Sequence, residues 1–141
     1  MQRLNLVPPR LPPALGDAQF RELVEGAPDG VFFANPQGRY VYVNQAGCRM
    51  LGVPRSEVIG RTAMDFVHPD EVEALEQSRL AMLTGGTHLG TWRLRQASGG
   101  WLPVEITANR LADGHSQGYV RDISQLIEQE RARAELLERS E

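Results

Sequence analysis

No lysine occurs among the 141 residues, and all fifteen cationic side chains are arginine. That absence excludes a Schiff-base nucleophile and the lysine of a phosphate-binding loop together. Cysteine is nearly as scarce. The single Cys48 excludes an internal disulfide and any multi-cysteine zinc site. No apolar run approaches the roughly 20 residues of a membrane span. The opening "MQRLNLVPPRLPPALG" has no signal-peptide core and is interrupted by four prolines. Excess positive charge is missing too. A net charge of -3 gives no general attraction to nucleic acid or anionic lipid. What remains is an ordinary globular mix, 41% hydrophobic and 23% charged, expected to be cytoplasmic.

Proline density marks residues 1–16 as a linker. Asp17 then opens a short helix with Phe20, Leu23 and Val24 on one face. Two β-rich runs, 31–34 and 39–43, flank the turn Asn35-Pro36-Gln37-Gly38. Asn44 caps "QAGCRML", which Gly52 ends. Pro54 opens another short helix, "PRSEVI", and Pro69 begins the longest internal one, expected over 69–84. Two strands, "THLGTWRLRQ" and "WLPVEITANRL", turn at Ala97-Ser98-Gly99-Gly100, and Asp113-Gly114 leads to the last, "SQGYVRD". Leu102, Val104, Ile106 and Ala108 alternate with mostly polar residues, so one sheet face is buried. Hairpins at each end with helices between them point to one antiparallel sheet covered on one face, an α+β layer with room for a pocket.

The spacing "G-x-x-x-VN-x-A-x-x-x-x-LG", the "VIG" step, the "HPD" helix start, the closing strands through "GYVRDIS" and the exit motif Asp122-Ile123-Ser124 resemble the PAS domain family, over roughly residues 17–125. The resemblance implies a five-stranded antiparallel sheet in the order 2-1-5-4-3 with helices on one face. It also implies a sensory or protein-interaction module of a longer signalling chain, such as a histidine kinase or a cyclic-dinucleotide enzyme. It names no cofactor, since the family binds haem, flavins, small metabolites or nothing. The light-sensing branch uses a cysteine in an Asn-Cys-Arg-Phe-Leu-type stretch; here that stretch reads "GRTAMDFVHPD". Cys48 lies on the earlier helix, where a small buried residue packs. The haem branch places its histidine on the long helix, and residues 69–84 have none. His68 belongs to a helix start and His115 to a turn, while His88 shares a strand face with Trp92 and Leu94.

On the long helix, Val72, Leu75, Leu80, Met82 and Leu83 form an apolar arc, with Ser78 on the solvated side. Arg79 and Glu76 fall on that arc. Either they pair i,i+3 at its edge, or Arg79 aims its guanidinium into the pocket to receive a carboxylate. The pocket candidates are Arg79, Met82, Leu75, Phe33, His88, Trp92 and Ile106. Arg93 and Arg95 form no broader basic stripe, and Asp65, Asp70 and Glu71 sit where a helix N-terminus favours carboxylates. No nucleophile, base and orienting group stand together, so a non-enzymatic module is expected.

The exit helix brings a second expectation. Asp122 caps it with Gln125 as reciprocal partner, and Ile123, Ile127, Glu130, Ala134, Leu137 and Glu141 form a weak coiled-coil seam. The expected units are a linker at 1–16, the domain at 17–122 and a signalling helix at 123–141. The function read is a sensory module that binds a small ligand, dimerises or does both, and is coupled through Asp122, Ile123 and Ser124 to a downstream output domain. The alternatives are a docking module whose pocket is filled by its own side chains, and more remotely a small-molecule enzyme.

Overall fold

A computed structural model describes residues 17–139; the proline-rich stretch 1–16 and the seam position Glu141 lie outside the described residues. The chain runs α1 (Asp17–Glu25), β1 (Gly30–Ala34), β2 (Tyr40–Val43), α2 (Gln45–Leu51), three short 3₁₀ turns, α3 (Val72–Leu83), β3 (Thr87–Arg95), β4 (Trp101–Arg110), β5 (Ser116–Asp122) and α4 (Ser124–Arg139). All strands belong to one antiparallel sheet, in the order β2-β1-β5-β4-β3. The core lies between its inner face and α2 with the following turn. Phe32, Val43, Leu51, Val58, Leu94, Leu102, Val104 and Val120 make up its buried cluster.

Two devices set which side chains face inward. In the β1–β2 pair Phe33 opposes Tyr42 while Ala34 opposes Tyr40, which leaves Val41 as an extra residue in β2. That bulge turns Tyr40 onto the inner face, where its ring lies 5.1 Å from Phe32, while Tyr42 stacks on Phe33 at 5.4 Å on the outer face. The second device is Asn44. Its Oδ1 accepts from the Val31 and Gly47 amides, capping α2, while its Nδ2 donates to the carbonyls of Val24 and Asp29. One buried side chain therefore joins α1, the 26–29 loop, β1 and α2.

The helices are shorter than the sequence pattern implies. Pro69–Glu71 is a 3₁₀ turn ahead of α3, and "PRSEVI" reduces to the 3₁₀ turn Arg55–Glu57. Glu71 has a different task from the dipole role its position implies. Its carboxylate accepts from the Arg93 backbone amide and from Arg93 Nε at 2.9 Å, covering part of the edge of β3. At the far end of the sheet, the Ile123 amide donates to Pro103 carbonyl, so the chain leaves β5 held against β4.

Candidate functional site

Between α3 and the inner face of the sheet lies a cavity of about 210 Å³. Its floor is built by β-strand alternation. Phe32 and Ala34 come from β1, His88, Gly90 and Trp92 from β3, Ile106 and Ala108 from β4, and Ser116, Gly118 and Val120 from β5. Leu75, Glu76, Ser78, Arg79 and Met82 of α3 form the wall, and Thr62 to Met64 close one end. Glycine creates part of the room. A Cβ at Gly90 would lie 3.0 Å from Trp92 Nε1, so the indole has its place because β3 has no side chain there.

Six of the seven pocket candidates line this space: Arg79, Met82, Leu75, His88, Trp92 and Ile106. Phe33 does not. It points to the outer face against Tyr42, and Phe32 takes the inner position. In "GVFFAN" both parities are apolar, so alternation alone gives no sign of which phenylalanine turns inward. The expected arc on α3 is also rotated. Leu80 and Leu83 are exposed, whereas Ser78, expected in solvent, lines the cavity.

Arg79 makes the i,i+3 pair, one of the two expectations for it. Its Nε and Nη2 donate to Glu76 at 3.3 and 3.0 Å, and both residues line the cavity. Hydrogen bonds from Arg79 hold the Glu76 carboxyl below its ordinary pKa. Burial pushes the Tyr40 hydroxyl well above its usual value and raises the Cys48 thiol, so Cys48 has packing character rather than thiolate character. α3 carries no histidine and "GRTAMDFVHPD" carries no cysteine, so the residues that the haem and light-sensing branches use are not at those positions. Among the described residues, no cluster of three or more His, Cys, Asp or Glu is arranged to hold a metal, and no helix is long and apolar enough to cross a membrane.

At the exit, Asp122 ends β5, and its Oδ1 accepts from the Ser124 amide at 2.8 Å and the Ser124 hydroxyl at 2.6 Å. The reciprocal bond expected from Gln125 is replaced by this tighter turn. Of the expected seam, Ile127 is exposed with Leu126 and Leu137, and α4 buries no residue. Plotted at 100° per residue, Leu126 falls on the stripe of Ile123, Ala134 and Leu137, an addition to the expected seam.

A cavity between a helical layer and a five-stranded antiparallel sheet, whose middle strand runs into an exit helix, defines a two-layer α+β fold. The profile of the PAS fold matches residues 18–123, and the chain belongs to that family. It is 27% identical over 131 residues to the methanogenesis regulatory histidine kinase FilI of Methanothrix harundinacea, covering 89% of this chain and 14% of that protein. Over 122 residues it is 27% identical to the cell-division control histidine kinase PdhS of Brucella ovis, covering 76% of this chain and 11% of that protein. A solved domain of the sensory box sensor histidine kinase/response regulator from Geobacter sulfurreducens is 28% identical with a TM-score of 0.67, covering 74% of this chain and 92% of that one. The chain is thus a PAS domain homologous to regions of signal-transducing histidine kinases, and it spans a small fraction of their length.

Proposed function

We propose that this domain is the cytoplasmic input of a longer signalling protein, that it senses a small molecule in the α3–sheet cavity, and that it performs no chemistry of its own. One observation carries the reading. β5 lines the cavity with Ser116, Gly118 and Val120 and continues through Asp122 into α4. Anything that fills the cavity presses on the strand from which the exit helix departs. The domain limits follow the same logic, with 17–122 as the sensing unit and 123–141 as the transmitting helix, preceded by a linker.

Hydrogen–deuterium exchange tests it. Occupation of the cavity by a retained or screened small molecule alters exchange over the first turns of α4 severalfold in the parent chain. Asp122→Ala, which removes the turn at Ser124, leaves binding intact and abolishes the change in α4. Unaltered α4 exchange at full occupancy in the parent chain refutes the coupling.

A second reading is favoured by α4 itself. Its 16 residues bury nothing, and an isolated helix of that length is marginal in water. The stripe of Leu126, Ile127, Ala134 and Leu137 supports a parallel pairing with a second copy, which would place two output domains side by side.

A further inference from the structure

We propose that the cavity takes a small amphipathic carboxylate, and that Glu76 occupies on Arg79 the place this carboxylate would fill. The inference rests on the ligand-sensing reading and names the ligand class. Size is the first argument. A cavity near 150 Å³ accommodates benzene, so 210 Å³ takes a ligand of roughly eight or nine non-hydrogen atoms. The lining is the second. Trp92, Met82, Leu75 and Ile106 offer an apolar bed; among the described residues that line it, Arg79 is the one guanidinium, Glu76 the one carboxylate and His88 the one imidazole.

The state of that pair is the third argument. A guanidinium–carboxylate fork at its best has contacts of roughly 2.7–2.9 Å, whereas Arg79 meets Glu76 at 3.3 and 3.0 Å. Their side chains are 31% and 38% exposed, so water reaches both and weakens the pair. Glu76 is ionised near neutral pH, since Arg79 holds its carboxyl below its ordinary pKa. It is therefore a genuine competitor for the guanidinium. When a ligand carboxylate replaces it, Arg79 stays neutralised and Glu76 turns outward to solvent, so the charge balance on the wall is conserved. Ser78 lies one residue before Arg79 on the same wall and offers a hydroxyl to the second ligand oxygen.

The test titrates the 141-residue chain with benzoate and hexanoate and with their neutral counterparts benzyl alcohol and hexan-1-ol, by calorimetry or by NMR shifts of cavity residues. Carboxylates bind the parent chain more tightly than the alcohols. Glu76→Gln removes the competitor and tightens carboxylate binding by about two- to fivefold, as expected for an exposed pair. Arg79→Met weakens it by about three- to fivefold, as for the loss of one partner of a solvent-reached charge pair, and leaves the alcohols unaffected. Circular dichroism confirms that each variant is folded. Alcohols binding as well as carboxylates overturns the carboxylate assignment while leaving a sensing cavity in place, and so does an Arg79→Met variant that binds carboxylates undiminished. Weaker carboxylate binding in Glu76→Gln overturns the competitor role. If none of the four probes binds, the carboxylate assignment falls, while the exchange response of α4 remains the separate test of the sensing reading.

Discussion

Replacing Asn44 with alanine tests the interior most directly. Asn44 is fully buried, and its four side-chain hydrogen bonds, all between 2.9 and 3.0 Å, run to four separate segments. Alanine strands two amide donors, Val31 and Gly47, in a region from which water is excluded. It also removes two donors from the carbonyls of Val24 and Asp29; the former keeps a 3.3 Å bond from the Ala27 amide. Each buried group left unpaired costs about 1–3 kcal/mol, and loss of the α2 cap falls within that cost rather than adding to it. With water re-entering the small void to satisfy part of the demand, the net loss is about 3–5 kcal/mol. That is a large share of the 5–15 kcal/mol or so that holds an ordinary domain. In urea unfolding followed by tryptophan fluorescence, a slope near 2 kcal/mol/M translates it into a midpoint lower by about 2 M with the slope unchanged. A loss under about 1 kcal/mol would mean that these four bonds contribute no more than one exposed helix cap, and the role of Asn44 as the joint between α1, β1 and α2 would be refuted.

Gly47→Ala sets two effects against each other. Alanine favours a helix by about 1 kcal/mol, but its Cβ would lie 2.6 Å from Val43 Cγ2 and 3.0 Å from the Phe32 ring. The clash wins, and thermal unfolding shows a net loss of about 1–3 kcal/mol. Acid weakens the contact of α1 with the body. The Glu25 carboxyl is held below its ordinary pKa of 4.5, first by the Tyr42 hydroxyl bond and then by Arg55. A depressed folded pKa means stabilisation present above 4.5 and lost as pH falls through the folded value. Tyr42→Phe therefore flattens the decline of stability below pH 4.5, which pH-dependent unfolding measures; an unchanged profile removes the Tyr42–Glu25 bond from the account. For α4, Ile127→Asp combined with Leu137→Asp turns a dimer into a monomer in analytical ultracentrifugation with the core melting unchanged, and a parent chain already monomeric at high concentration counts against the seam.

The sequence expressed what local chemistry dictates. Asn44 before "QAGCRML" with Gly52 after it defined α2, and the alternation of Leu102, Val104, Ile106 and Ala108 defined the inner face of β4. The motif order then supplied a strand order that pair-by-pair reasoning could not. What stayed hidden depends on parity and rotation. "GVFFAN" is apolar at every inner and outer position of β1, and the bulge at Val41 has no compositional mark, so the exchange of Phe33 for Phe32 was invisible. On α3 the apolar residues spread over too broad an arc to fix which part meets the sheet. The answer lies in the width of the cavity, which leaves Ser78 and Arg79 on its wall and turns Leu80 outward. Asp122 differed for a local reason. The next amide is taken by Pro103 carbonyl, so its carboxylate reaches Ser124 before it could cap a deeper turn.

That local reason bears on how a message would leave the domain. β5 is the central strand, paired with β1 from Gly30 to Ala34 on one side and with β4 from Val104 to Arg110 on the other. A ligand pressing on Gly118 cannot push the strand sideways without breaking two ladders at once. The cheaper response is a change in twist, which every strand pair tolerates over a range of angles. Twist accumulates toward the strand's end, and there the chain is held twice, by the Ile123–Pro103 bond to β4 and by the Asp122–Ser124 turn. The first fixes where α4 begins and the second fixes the direction in which it starts. On the proposed coupling, an altered angle between β4 and β5 would rotate α4 about a fixed origin, and cutting the Asp122 turn should cost direction without costing the fold.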